Sequence, residues 1–410
     1  MSRIRVAIFV DVFPPNIGGG ATRAFHIAKN LATLNCDVIV ITGGHIYPGG
    51  GSLLTTRSSY ERFGGIDVYR VPSLKLPFKG LLNRLLNYVV CCIFMLMKAA
   101  GLKGVNLVFS LGMHPFTDVG AYLVKLINPK SYFIIDFSDV FADNSLYYTV
   151  GNAINKILLR ISDSITVHNE RMKTIFIWRY RYTKKMSILY NAVDTDVFRP
   201  INEARKEKQL LSRLCGRSLK NKVVVCYFGV LGPFQGLDKV LKAAFDLQEE
   251  LREMIFCVIG DGEKRSSLER LASNLKNVFL FPPMPRDMMP FIAAEADVGL
   301  VPLVSSNYSS LVYVNLPTKA AEFLSSGTPV LAAKGTFIGY LVTKWNAGYE
   351  VDFNSAEDIC NCLRHIYNNS KEIVMKSTNA RSLALNVFSS NVLRESLSSL
   401  LAGIGNHGVC

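Results

Sequence analysis

The sequence predicts an α/β protein built from two doubly wound domains, and three features predict it. Apolar runs of strand length alternate with longer helical patterns along the chain, the runs are near-continuous in Val, Ile and Phe, and one polar, basic, less periodic stretch interrupts the alternation near its middle. Strands that are apolar at every position belong to sheets covered on both faces, and alternation with helices gives parallel βαβ order. With 410 residues, 49% of them apolar, the chain can bury two cores of ordinary domain size. Charged residues at 19% are too few for a disordered protein.

In order, "RVAIFVDV", "DVIVITG", "IDVYRVP", "VNLVFSLG", "SYFIIDFS" and "SITVHN" read as strands of a first domain, residues 1–190. The stretch "YNAVDTDVFRPINEARKEKQLLSRLCGRSLKNK" reads as a connector, residues 191–222. "KVVVCYFGVLG", "EMIFCVIGDG", "NVFLFPP", "ADVGLVPL" and "TPVLAA" read as strands of a second domain, residues 223–385, followed by a helical pattern within 386–410. No internal repeat of solenoid period is present.

Nine cysteines are scattered without a CxxC pair or a His-rich partner segment, which fits free thiols in a reducing cytosol better than a disulfide framework or a zinc site. The amino terminus "MSRIRVAIFVDVFPP" has basic residues before an apolar run, but Asp11 interrupts that run, so it reads as a strand and not as a signal peptide. A net charge of +14 is compatible with an anionic membrane face, nucleic acid or negatively charged substrates such as nucleotide diphosphates. The apolar segment Tyr88 to Met97 is shorter than the about 20 residues needed to span a bilayer, leaving a buried helix or an in-plane membrane helix. In "IFIWRYRYTKK", Trp178, Tyr180 and Tyr182 alternate with Arg179 and Arg181, which suits a headgroup boundary; a half-buried edge strand is the alternative. No nucleic-acid module accompanies the patch, so no nucleic-acid partner is expected.

Parallel sheets bind ligands at the carboxyl ends of their strands, so the turns there are expected to carry the chemistry. After the first strand, Gly18, Gly19 and Gly20 open a helix and let backbone amides approach an anion at its amino terminus. In the second half, "FGVLGPFQG" holds Gly229, Gly232 and Gln235, and "IGDGE" holds Gly260 and Gly262, each where a strand ends and a helix begins. Plain tight turns would look the same. In "NLPTKAAEFLSSGTPVLAA", Pro317 starts a helix, Ala320, Ala321, Phe323 and Leu324 supply a buried face, and Gly327 ends it. Glu322 inside that helix is either a solvated acid or one aimed at a ligand.

The succession PPxxGG, "YNAVDTDVFRP", "YFGVLGPFQGLDKVLKAA", "VIGDGEKRSSLERLA", "ADVGLVPL" and "LPTKAAEFLSSGTPVLAA" resembles a bacterial glycosyltransferase of the GT-B fold, family 4, of the kind that builds cell-surface polysaccharide. The resemblance covers nearly the whole chain. It implies two Rossmann-like domains facing a central cleft, a nucleotide-sugar donor (UDP- or GDP-linked) on the second, and an acceptor on the first. It further implies a carboxyl-terminal helix crossing back to the first domain, transfer with retention of anomeric configuration, no cofactor and no required metal. Glu322 falls where the family's acid binds the donor ribose hydroxyls, and a carboxylate on a rigid helix can accept two adjacent hydroxyl hydrogen bonds.

The sequence departs from the family pattern in three respects. Val314 stands where a second acid often meets the donor sugar. Val230 and Gln235 stand where an Arg and a Lys often grip the diphosphate, so the resemblance implies Lys319 as the cation for the leaving diphosphate, with a surface lysine as the alternative. Ser138 stands where a His or Arg is expected, followed by a matching Asp139. Asp139 and Asp136 are candidates for orienting acceptor hydroxyls, with capped loop acids as the alternative. His114 follows a first-domain strand and is a catalytic candidate, with a structural histidine as the alternative. "DTD", Asp194 to Asp196, imitates a metal site but lies in the connector, so no metal is assigned to it. The acceptor is expected to be a lipid-linked saccharide and the protein to associate peripherally with the anionic inner face of the plasma membrane. A sugar-nucleotide epimerase of the same fold and a non-catalytic donor-binding partner of another transferase are the rival readings.

Overall fold

The computed structural model describes residues 3–16, 18–43, 58–73, 81–111, 115–138, 156–201, 207–304, 313–314 and 316–404. The chain divides into two units, Met1–Tyr190 with Asn391–Cys410, and Asn191–Ser390. Residues 191–222 therefore belong to the second unit, and the helix Ser390–Ile404 lies almost wholly in the first, with Leu393, Leu397, Leu400 and Ile404 buried.

Among the described residues the first unit carries eight strands: β1 (Arg5–Val10), β2 (Asp37–Gly43), β3 (Ser59–Phe63), β4 (Ile66–Val71), β5 (Leu107–Leu111), β6 (Tyr132–Phe137), β7 (Ser164–Val167) and β8 (Met186–Ile188). Their order is β3-β4-β2-β1-β5-β6-β7-β8, parallel throughout except for β3, which runs antiparallel to β4. Strands β5, β6 and β7 are buried at every residue, including the polar Ser110, Asp136, Ser164 and Thr166 among their apolar residues, as strands of a sheet covered on both faces are. β3 is exposed at every residue and contains no apolar run, so periodicity alone does not reveal it. The strand order reverses between β1 and β5.

In the second unit, β9 (Val223–Phe228), β10 (Met254–Ile259), β11 (Val278–Phe281), β12 (Val298–Val301), β13 (Val330–Ala333) and β14 (Gly348–Val351) form an all-parallel sheet of order β11-β10-β9-β12-β13-β14. Cys226 of β9 stands in register with Cys257 of β10 and Gly299 of β12. Tyr227, Val258, Leu300 and Leu331 meet Val240, Leu241 and Leu363 from covering helices in one core. Here the reversal lies between β9 and β12, the place where a doubly wound sheet opens a crevice for a ligand.

Tyr88 to Met97 lies inside the longer helix Leu81–Ala100, and no described helix is long and apolar enough to cross a membrane. Trp178 belongs to the helix Glu170–Tyr180, which Asn169 caps by accepting from the Met172 amide and Arg181 ends in a left-handed conformation. A helix thus replaces the edge-strand alternative there. The eight described cysteines are free thiols.

Candidate active site

Beyond β9 and β10 the backbones stay paired for three more residues. The Gly229 amide donates to Ile259 O (3.0 Å), the Gly260 amide to Phe281 O (3.1 Å) and the Leu231 amide to Asp261 O (2.9 Å). This closeness requires the glycines. Gly260 has φ +151, and a Cβ there would lie 1.9 Å from Gly229 O; a Cβ on Gly262, φ +156, would lie 2.6 Å from Leu231 O. Arg265 holds the second turn by donating to Gly260 O (2.6 Å) and Phe281 O (3.0 Å). Gly232 opens the short turn Pro233–Gln235, which delivers the chain into the helix Leu237–Asp246.

The helix Thr318–Ser325 is fixed against this edge by packing. Phe323 lies 4.3 Å, ring centre to ring centre, from Phe228 at the end of β9, and only a glycine at 299 leaves room for its ring. From the far side Ser325 donates to Phe198 O (2.6 Å), and Arg381 donates to Phe198 O (2.9 Å) and Ser325 O (2.7 Å). Lys319 and Glu322, three residues apart on this helix, share one face. The Lys319 ammonium sits 3.9 Å from the centre of the Tyr227 ring, 3.5 Å from Gln235 Oε1, and 3.3 Å from where a Cβ on Gly229 would be. Burial pushes its pKa down to about 7, with the Glu322 charge acting against the shift. Glu322 is buried, and the exposed Arg286 guanidinium donates to its carboxylate while stacking 5.0 Å from the Phe198 ring.

Gly229, Gly232, Gln235, Gly260, Gly262, Lys319 and Glu322 therefore lie along one edge of the second sheet at its reversal point. That edge offers backbone amides, one buried carboxylate and one cation of lowered basicity. A carboxylate there can accept hydroxyl hydrogen bonds, and the amine can switch its charge near neutrality. Val314 is buried, so the position expected to carry a second acid is filled by apolar packing. Arg286 escaped the sequence reading; its signal was one cation in the turn "PPMPRDMMP" after β11.

In the first unit, Gly18 has φ +149 and caps the helix Gly19–Thr33 at the carboxyl end of β1. Asp136 is corrected: its carboxylate is taken up by the buried Arg23 in a two-pronged pair (2.7 Å each) and by the Thr166 hydroxyl (2.6 Å). At 1% exposure it braces helix against sheet and does not present itself to an acceptor hydroxyl. His114 and Asp139 lie outside the described residues. Asp194 accepts from the Asp196 and Val197 amides (3.3 and 3.4 Å), so "DTD" forms a turn. Among the described residues no group of three His, Cys, Asp or Glu side chains is placed to hold a metal ion.

Residues 17–197 match the family described as Glycosyltransferase Family 4, and residues 216–383 match Glycosyl transferases group 1. The chain is 24% identical over 299 residues to an uncharacterized glycosyltransferase of Methanocaldococcus jannaschii, covering 68% of each protein. It is 22% identical over 307 residues to the phosphatidylinositol N-acetylglucosaminyltransferase GPI3 subunit of Saccharomyces cerevisiae, covering 72% of this chain and 62% of that one. In three dimensions it matches the Anabaena protein HepE in complex with UDP and glucose with a TM-score of 0.70 at 16% identity, over 98% of this chain and 100% of that one.

Proposed function

The chain belongs to the glycosyltransferases of the GT-B fold, with a family 4 amino-terminal region and a group 1 carboxyl-terminal region, and on that premise we propose that it moves a hexose from a nucleotide-diphosphate donor to a lipid-linked saccharide in cell-surface polysaccharide biosynthesis. The observation that carries this reading is the pairing of Lys319 and Glu322 on one helix face against the glycine turns after β9 and β10. Glu322 receives the ribose hydroxyls, and Lys319 with the turn amides receives the diphosphate. Transfer proceeds with retention and without a required metal: the diphosphate departs as the acceptor hydroxyl attacks the same face of an oxocarbenium-like sugar. Little covalent work falls to the protein, and stabilising the departing negative charge dominates.

The donor assignment draws support from the UDP and glucose bound by the HepE protein, and the lipid acceptor from the phosphatidylinositol substrate named for the yeast relative. The basic net charge suits work at the inner face of the plasma membrane. Thermal-shift screening against UDP- and GDP-sugars tests the donor. A ligand at 100 times its dissociation constant stabilises by about 2.7 kcal/mol, and no shift with any nucleotide sugar would overturn the reading. Val314, Val230 and Gln235 favour one rival, a donor-binding partner without activity of its own. Release of nucleoside diphosphate from donor only when acceptor is supplied separates transfer from that rival and from epimerisation.

A further inference from the structure

Cys215 and Cys257 bring their sulfurs to 3.7 Å although they stand 42 residues apart in the chain. Cys215 ends the helix Gln209–Cys215 and is half-buried; Cys257, in the middle of β10, is fully buried. Both ends of the helix are held in place. At its start the buried Glu295 carboxylate accepts from the Leu210 and Leu211 amides (3.0 and 2.8 Å). At its end Gly216 turns the chain with φ +65, the Arg217 amide donates to Ser212 O (3.2 Å), and the Ser212 hydroxyl accepts from the amide of the buried Leu219 (3.0 Å).

The two thiols differ in chemistry. Donation from the Cys257 thiol lowers the pKa of Cys215, against the effect of burial and with help from Arg217; the same bond raises that of Cys257, with burial adding. Arg217 lies 4.9 Å from the centre of the Phe279 ring, and Phe279 is the residue of β11 in register with Cys257. A third sulfur, Cys226, stands in register with Cys257 across β9 and β10, so the two side chains share a face of the sheet. Burial raises the Cys226 thiol, with Cys215 adding, which keeps it protonated. The cluster thus joins a half-buried, more acidic thiol to a buried one close beside it, the arrangement of an attacking and a resolving cysteine.

We propose that Cys215 and Cys257 form a reversible disulfide by exchange with a low-molecular-weight disulfide of the glutathione type, Cys215 attacking and Cys257 resolving. The Cys215 thiolate attacks one sulfur of the small disulfide, and a mixed disulfide forms as one small thiolate leaves. The Cys257 sulfur then attacks Cys215 Sγ and expels the second small thiolate. Two electrons pass from the protein thiols to the small disulfide, and both protein protons end on the released small thiols. Its position 3.7 Å away favours Cys257 over a thiol from solution in the second step. The product ties the helix Gln209–Cys215 to the strand that runs into the turn holding Gly260 and Gly262. In a reducing compartment such a bond is transient and follows the redox poise. No residue assigned to donor or acceptor takes part, so the exchange stands apart from the transferase reading.

The test uses the full chain, reduced and then equilibrated without air in mixtures of glutathione and glutathione disulfide, acid-quenched, alkylated and mapped by mass spectrometry. The folded wild type yields a linked pair of peptides holding Cys215 and Cys257, two hydrogens lighter than the separate peptides, and dithiothreitol reopens it. C257S stops with glutathione on Cys215, C215S leaves Cys257 a thiol, and C226S forms the same link as the wild type. If C257S lacks the wild-type melting transition, C257A carries the same expectation. A wild type whose Cys257 stays a thiol across the whole range of mixtures overturns the proposal. So does a bond from Cys226 to either partner in place of the Cys215–Cys257 link. Failure of the chain to bind any nucleotide sugar would sink the transferase reading and leave this link intact.

Discussion

The Arg286 guanidinium lies against the buried carboxylate of Glu322, so the acid assigned to the donor ribose is already held by a cation in the free protein. Arg286 is itself more than half exposed, which makes the pair modest in stability but effective in orienting the carboxylate. Glu322→Gln keeps the shape of the side chain and removes its charge. Its expected effect is a loss of about 1.5–3 kcal/mol of nucleotide binding, roughly ten- to a hundredfold in Kd, with little change in Tm. Calorimetric titration with UDP and GDP reads the first and thermal unfolding the second.

Lys319 gives a pH signature whose sign is fixed. Burial lowers its pKa from 10.5 to about 7, so between those values the unfolded chain binds a proton that the folded chain has released. Stability from this group therefore rises with pH across that window, and below about pH 7 the cost of the half-buried cation is present in full. Lys319→Met should raise Tm at pH 7, flatten the dependence of Tm on pH above 7, and abolish transfer. In the wild type, diphosphate affinity should weaken as pH rises above 7 and the cation is lost.

Gly260→Ala places a methyl group 1.9 Å from Gly229 O in a backbone conformation that side chains rarely adopt. Denaturant unfolding should register a loss of about 3 kcal/mol or more. Gly232→Ala, which meets open space, should change stability by less than about 1 kcal/mol.

Asp136→Ala removes the carboxylate that pairs with the buried Arg23 guanidinium at two points and should cost about 3–5 kcal/mol. In R23A/D136A the loss should be smaller than the sum of the single losses, since both single variants lose the same buried pair. If Asp136→Ala instead unfolds like the wild type and only raises KM for acceptor, the bracing role is wrong.

The sequence disclosed the sheets wherever burial is total: β5, β6, β7, β10, β12 and β13 are buried at every residue and each begins or ends at a legible turn. It concealed β3, exposed throughout, and β8 and β14, three and four residues long, because short or solvated strands leave no apolar run. In the candidate site, Lys319 and Glu322 came from the family resemblance, and the structure puts them three residues apart on the helix Thr318–Ser325. Arg286 did not, being brought to Glu322 by packing across 36 residues. Asp136 misled for the same reason: its partner Arg23 is 113 residues away, and an acid at a strand end looks like a ligand until the helix that neutralises it is in place.

The central claim is that Glu322 grips the pentose of the donor nucleotide. It is tested most directly by titrating UDP and 2′,3′-dideoxy-UDP into the wild type and Glu322→Ala. The wild type should prefer UDP by roughly tenfold or more, and the variant should bind both equally and weakly. An undiminished preference for UDP in Glu322→Ala would contradict the account.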